Sequence, residues 1–384
     1  MKPRFSFHPL ITAVVVAVLC LAGPSSARDV FSGPLNSPAG PFPRALAAGD
    51  FNGDQILDLA VTNDGNTDAD KVKVLLGVGT GIFEHPVGYR VGSRPDAVAV
   101  GDFNNDTILD LVVVNSGTGG SGNLSILFGN GDGTFQKQVN VADTNSAGFS
   151  IVVGDFNNDG NADLAVTHDR GPQRSYISIL LGNGDGTFQA PIKTATIGRP
   201  INLVAGDLNG DGKLDLILAA SSGHGHGGTS ILLGNGDGTF QVNLWKRVAS
   251  SPIALGDFNG DGILDFIEIS SLTRVAIYLG NGDGTFQVAK HFTAGYEIAL
   301  IVLADFDGDG KLDVVVTDYH AGFVVNFLHG KGDGRLAAPT GYFLSPTYWP
   351  TNIIAADVNG DGRPDLVATQ YTKLVTILLN TSLK

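Results

Sequence analysis

Apolar residues in this chain come in short blocks, not in helical stripes. Between Ala97 and Val141 the blocks are Ala97–Gly101, Leu109–Val114, Leu124–Phe128 and Phe135–Val141, each bounded by glycine, asparagine or aspartate. Blocks of this length with turn residues at both ends predict β-strands. No stretch sustains the i, i+3, i+4 spacing of an amphipathic helix. The same alternation of apolar block and polar turn runs on from Ala47 to the end of the chain, so the pattern predicts an all-β protein.

The pattern repeats. An aspartate-led segment occurs seven times: AAGDFNGDQILDLAV from Ala47, AVGDFNNDTILDLVV from Ala99, VVGDFNNDGNADLAV from Val152, VAGDLNGDGKLDLIL from Val204, ALGDFNGDGILDFIE from Ala254, VLADFDGDGKLDVVV from Val302 and AADVNGDGRPDLVA from Ala355. Their leading aspartates are spaced by 52, 53, 52, 50, 48 and 52 residues. A second element sits at a fixed offset: LLGVGTGIF from Leu75, LFGNGDGTF from Leu127, LLGNGDGTF from Leu180 and Leu232, YLGNGDGTF from Tyr278 and a worn FLHGKGDGRL from Phe327. An apolar strand, a glycine-rich turn and a new strand make a hairpin. The alternative, a calcium-binding nonapeptide repeat, needs tandem copies every nine residues; these lie about fifty apart.

Each period therefore holds four short strands, the description of a propeller blade. The expected fold is an all-β, seven-bladed β-propeller of four-stranded antiparallel blades, beginning near residues 46, 97, 150, 202, 252, 300 and 352. The seventh copy stops after its third strand at Asn380, with no hairpin turn, and residues from Phe31 to Pro43 precede the first copy. A ring closes when one terminus completes the last blade and so removes two open sheet edges. Residues 28–45 are expected to supply that strand, pairing near Phe31 with Val375–Leu379.

Composition adds a compartment and a charge. Lys2 and Arg4 followed by the apolar run Leu10–Leu21 and by Ser25-Ser26-Ala27 predict a signal peptide over residues 1–27, hence a secreted protein, extracellular, cell-surface or periplasmic. The one cysteine, Cys20, leaves with it, which removes disulfides as staples. No later stretch is apolar enough for a membrane span. The net charge of −14 becomes −16 once Lys2 and Arg4 are removed. That sign argues against nucleic acid, whose phosphates require a basic face, and suits a protein that holds cations.

The aspartate loops are the candidate cation sites. In Asp257-Phe258-Asn259-Gly260-Asp261-Gly262-Ile263-Leu264-Asp265, oxygen-bearing side chains stand at positions one, three, five and nine. Calcium wants six to eight oxygens, and alternate residues of a tight loop point inward to provide them. The same positions are Asp50, Asn52, Asp54 and Asp58; Asp102, Asn104, Asp106 and Asp110; Asp155, Asn157, Asp159 and Asp163; Asp207, Asn209, Asp211 and Asp215. After Asp257, Asn259, Asp261 and Asp265 come Asp305, Asp307, Asp309 and Asp313, then Asp357, Asn359, Asp361 and Asp365. An EF-hand would add a bidentate glutamate at position twelve and flanking helices; here position twelve is usually Val, Leu or Ala within a strand, with Glu268 there once, so this is not an EF-hand. Magnesium, with its octahedral, water-rich shell, fits this donor count less well. About seven Ca2+ sites are expected, the first two weaker because Gln55 and Thr107 replace the glycine at position six.

These repeats resemble the FG-GAP (VCBS-type) repeats of integrin α-subunit propellers and of many exported proteins. The resemblance covers about 330 residues, and it implies a seven-bladed propeller with calcium loops joining the first and second strands of each blade. The phenylalanine-glycine and glycine-alanine-proline ends that name the family are replaced here by Val61-Thr62-Asn63 and Val113-Val114-Asn115, so no integrin partner is carried over. The family spans adhesion modules, lectins and some carbohydrate-active enzymes.

Strand connections alternate between two faces, and the face opposite the calcium loops is where the sequence stops repeating. Loops with individual jobs on a common scaffold have this character. Tyr89, Arg94, Tyr176, Tyr296, Tyr319, Tyr348, Trp349 and Tyr371 fall in or beside them. Flat aromatic rings with polar edges suit a sugar or a protein hot spot. The expected function is a monomeric binding or adhesion module for a glycan or protein ligand on that face. The alternative is a lyase-like carbohydrate-active enzyme using Arg, Tyr and His there. His224 and His226 in a glycine-rich loop read as solvated. No nucleophile elbow, HExxH motif or phosphate loop appears in the sequence.

Overall fold

The computed structural model describes residues 30–64, 71–117, 122–141, 147–169, 174–196, 198–221, 228–246, 252–319, 324–345, 349–371 and 373–382. The signal-peptide segment, His224, His226 and Tyr348 lie outside the described residues. Among the described residues twenty-eight strands form seven four-stranded antiparallel sheets. The inner strand of each sheet contacts that of the next, and Pro350–Ala356 contacts Pro43–Gly49, which closes the ring. No helix occurs among the described residues, and the fold is a seven-bladed β-propeller.

Blade two shows how the sequence makes a blade. Its strands are Pro95–Gly101, Asp110–Asn115, Asn123–Leu127 and Val139–Val141. Every residue of the second strand is buried, as it is for Asp58–Asn63 and Asp313–Asp318 in blades one and six. Neighbouring blades cover both sheet faces at this radius, so these strands read as continuous apolar runs without alternation. The outer strand, largely exposed, is short and weakly apolar. The inner strands start earlier than the apolar blocks suggest: Pro43, Pro95 and Pro350 open them, and a register shift follows each proline. Proline lacks the N–H a ladder needs and is tolerated at a strand's first residue or a bulge. Blade one thus begins inside the 28–45 segment.

Leu35–Pro38 pairs antiparallel with Leu374–Ile377 as the outer strand of blade seven. Phe31 bridges Asn380, as Phe135 bridges Gly129 in blade two. Its ring meets Phe306 edge-on at 5.3 Å, just as Phe135 meets Phe51 at 5.3 Å. The N-terminal segment therefore replaces both the missing strand and the missing aromatic residue of the absent hairpin.

The glycine-rich hairpins also lock adjacent blades. The N–H groups of Gly133, Gly186, Gly238, Gly284 and Gly334 donate to the carbonyls of Phe51, Phe103, Phe156, Leu208 and Phe258, at 2.8–3.2 Å. Each acceptor is the second residue of the preceding blade's aspartate loop. Gly133, at φ +80°, sits on Leu76, where a Cβ would come within 2.7 Å of Cδ2. Blade seven has no hairpin turn, and Asn380 Nδ2 (2.7 Å) and Ser382 Oγ (3.1 Å) donate to Phe306 O instead. Each latch of this kind contributes about 1 kcal/mol.

Candidate cation loops and the opposite face

Each aspartate loop is built by its first carboxylate. Asp257 accepts from the N–H of Gly260 at 2.7 Å and of Gly262 at 2.8 Å. Asp50 does the same for Gly53, Asp54 and Gln55. Asn259 Oδ1 accepts from Asp261 N, and Asp261 Oδ1 from Ile263 N. These turns need positive φ at positions four and six, seen at Gly260 (76°) and Gly262 (79°). Where glycine is missing, Asn105 (58°), Thr107 (69°) and Gln55 (68°) adopt the same conformation. For a β-branched threonine that costs about 1–2 kcal/mol. The requirement at position four was missed in the sequence, although Gly or Asn in all seven copies is its signal.

The ninth aspartate ties each loop to its own blade. Asp265 accepts from Phe258 N and from Gly280 N, both at 2.8 Å, and is fully buried. Asp58, Asp110, Asp163, Asp215, Asp313 and Asp365 make the equivalent pair of bonds. Burial outweighs the two amide donors and pushes the carboxyls of Asp58, Asp110, Asp163 and Asp265 up to about 6, with the loop's other two aspartates adding to the rise. Asp365 reaches about 7 for the same reasons. The amides occupy one direction on each oxygen, and a carboxylate has about four acceptor sites, so capacity for a cation remains. In loop six, oxygens of Asp305, Asp307 and Asp309 lie within 4.8 Å of one another. Hard oxygen donors, mutually repelling charge and spare lone pairs all fit a divalent cation.

Loop six differs from its siblings. His329 Nδ1 lies 2.7 Å from Asp307 Oδ2 and 3.4 Å from Asp313 Oδ1, and Nε2 lies 3.7 Å from Asp309 Oδ2. Interaction with Asp313, foremost, and with the other two carboxylates raises the imidazole to about 9. The sequence reading passed over His329, although the worn hairpin FLHGKGDGRL was its signal.

On the opposite face the structure gathers some of the expected aromatics and disperses others. Tyr319 stacks on Trp349 with ring centroids 5.7 Å apart and planes at 13°, and its hydroxyl donates to Pro350 O. Tyr371 N donates to Trp349 O, and the Tyr371 ring meets Phe42 at 5.3 Å. Trp349 is 55% exposed and Tyr371 53%. Phe42 and Trp349 immediately precede inner strands, so this group lies where blades six, seven and one approach the axis. Phe42, held at φ 47°, was not singled out from the sequence.

The remaining face residues are scattered. Tyr89 packs against Phe135 between blades one and two. Tyr176 stacks on the buried His168 at 4.5 Å, with Lys193 Nζ 5.0 Å from its ring centre. Tyr296 is exposed, and its N–H donates to Asp318. Arg94 is exposed at φ 55° beside Asp96. Arg44, also missed, bridges Asp64 and the buried Asp96.

Residues 50–113, 102–166, 167–218, 211–268, 257–316 and 305–368 each match the model of the FG-GAP-like repeat. The fold is similar to BBS1N in a crystal structure of BBS1N in complex with ARL6DN, soaked with lead: TM-score 0.62, 14% identity, covering 93% of this chain and 99% of that one. A mercury-soaked crystal of the same complex gives TM-score 0.58 and 13% identity over the same shares. At such identities the likeness is one of fold. No curated protein matches by sequence.

Proposed function

This chain belongs to the FG-GAP-like repeat family, and from that premise we propose that it is a secreted, calcium-loaded binding module whose ligand sits on the aromatic cluster opposite the aspartate loops. The observation that carries the reading is the exposed rings of Phe42, Trp349 and Tyr371, with Tyr371 braced on Phe42 and Trp349 stacked on the half-buried Tyr319. Braced rings offer large contact area with little entropy left to lose, and aromatic anchors of this kind dominate binding energy. A propeller of similar fold stands in complex with a second protein, ARL6DN, which supports a protein ligand on such a scaffold.

The loops would hold calcium through the side chains at positions one, three, five and nine. Calcium supplies positive charge that about seven ions would use to bring the net charge close to zero. The chain does the rest. The ninth aspartates fix the hairpins, the hairpin glycines fix the preceding blades, and the inner strands fix the aromatic cluster. The enzyme alternative gains little from the geometry: His168, beside Tyr176, is fully buried and out of a polymer's reach.

The test is to incubate the calcium-loaded mature protein with a panel of polysaccharides, scoring retention and newly formed chain ends, alongside Trp349→Ala and Tyr371→Ala. Retention lost in the variants supports a glycan module at this cluster. New chain ends replace the module with an enzyme. Silence on both counts directs the same variants to a screen of purified secreted proteins, where binding insensitive to both substitutions would refute the proposed surface.

A further inference from the structure

We infer that the sixth loop is built for a divalent transition ion of the zinc and cobalt class, with His329 Nδ1 and the carboxylates of Asp307 and Asp313 as its ligands. The inference rests on the reading that aspartate loops hold cations, and assigns this one a different ion from its six siblings.

Two departures from the repeat coincide here. Position three is asparagine in six loops and Asp307 in this one. The residue before the hairpin's first glycine is Leu76, Phe128, Leu181, Leu233 or Leu279 in five blades but His329 in blade six; in blade seven the equivalent Leu379 precedes Asn380. The apolar siblings lie beneath a glycine of the next blade's hairpin: Leu76 under Gly133, Leu181 under Gly238, Leu233 under Gly284 and Leu279 under Gly334. Blade seven has no hairpin turn to cover position 329. The imidazole is released from that packing role and lies over its own blade's loop.

The ring's placement is that of a ligand. Nδ1 is buried, although the side chain as a whole is partly exposed, and it faces two carboxylates, Asp307 Oδ2 at 2.7 Å and Asp313 Oδ1 at 3.4 Å. The nitrogen and the two oxygens are grouped within 4.8 Å, with Asp313 fully buried. A tetrahedral zinc site with bonds of about 2.0–2.2 Å separates neighbouring N and O ligands by about 3.4 Å. The two Nδ1–carboxylate distances, 2.7 and 3.4 Å, need little adjustment to reach that value. Imidazole nitrogen beside carboxylate selects borderline transition ions over calcium, which prefers oxygen alone.

The experiment uses the untagged mature protein in saturating calcium, titrated with Co2+ and then with Zn2+. Wild type is expected to develop the visible absorption of one nitrogen-ligated cobalt that zinc displaces and calcium does not. His329→Leu and Asp307→Asn restore residues the sibling blades carry, so both are expected to fold. Since outer-shell partners alone are worth about 10- to 100-fold in metal affinity, loss of the imidazole should weaken cobalt by about 100-fold or more. A cobalt spectrum unchanged in His329→Leu, or absent from wild type, overturns the assignment. Calcium calorimetry on both proteins separates the two readings: no calcium uptake by either defeats the general loop assignment, whereas calcium uptake without a His329-dependent cobalt signal defeats only this one.

Discussion

The two faces of the disc are made by opposite uses of sequence. On one, seven loops repeat the same hydrogen-bond pattern almost atom for atom, with the ninth aspartate of each holding two backbone amides. On the other, the connections differ in sequence from blade to blade, and among the described residues the exposed rings of Phe42, Trp349 and Tyr371 lie in neighbouring connections. The repeated face carries stability, since its residues bond to their own blade and to its neighbour. On the proposed function the unrepeated face carries recognition, since its exposed rings brace one another and leave surface free. Stability and affinity are therefore expected to be separable by face.

Chelation should strain that division most. A site held at a hundredfold excess over its dissociation constant contributes about 2.7 kcal/mol, so stripping all loops is expected to lower the melting temperature by on the order of 20 °C. An unchanged calorimetric transition would remove the loops from the stability account. In chelated protein the pH dependence should follow the buried ninth aspartates. Their folded carboxyls titrate at about 6 against an ordinary 3.8, so the fold binds these protons more tightly than the unfolded chain does. Their contribution is full below pH 4 and is lost as pH rises through about 6. The metal-free protein is expected to melt several degrees higher at pH 5 than at pH 7.5. Calcium, which competes with those protons, should abolish or reverse the difference in a thermal scan.

Smaller effects sharpen the contrast. Trp349→Ala is expected to weaken ligand binding by about 2 kcal/mol while shifting stability by less than about 0.5 kcal/mol, measured by titration and by denaturant unfolding. Asp163→Asn should show the converse, because an amide oxygen cannot satisfy both Phe156 N and Gly182 N: a loss of about 1–3 kcal/mol, with unchanged ligand affinity. Thr107→Gly, at a residue held at φ 69°, should stabilise by about 0.5 kcal/mol, the relieved strain being partly offset by glycine's greater freedom when unfolded.

The repeated face was almost wholly legible in the sequence, because seven copies of one pattern expose both the period and the donor positions. Blade count and strand order follow from it. What the repeat hid were its second-order roles. The hairpin glycines also serve the preceding blade, and Phe31 stands in for a residue that blade seven lacks. These are relations between copies about fifty residues apart, invisible within any one copy. On the unrepeated face, aromatic content was readable but convergence was not. Tyr319, Trp349 and Tyr371 meet through three connections of two blades, whereas Tyr89 turns into the seam between blades one and two. Composition cannot tell an exposed ring from one that packs. His329 was hidden by its neighbours in sequence, since its meaning lies in a hairpin that blade seven does not have.

Pairing Leu35–Pro38 with Leu374–Ile377 also sets a clock. Synthesis runs at about 5–20 residues per second, so the first-made strand waits roughly 17 to 70 s for its partner to emerge. Through that interval six blades can be complete while the circle stays open, with two sheet edges free to take a strand from elsewhere. A chain cut short before residue 374 would then not give a smaller ring. It would keep an unfilled slot for the missing Leu374–Leu378 strand, which a second copy of the shortened chain lacks as well, so both the slot and Leu35–Pro38 would stay unpaired.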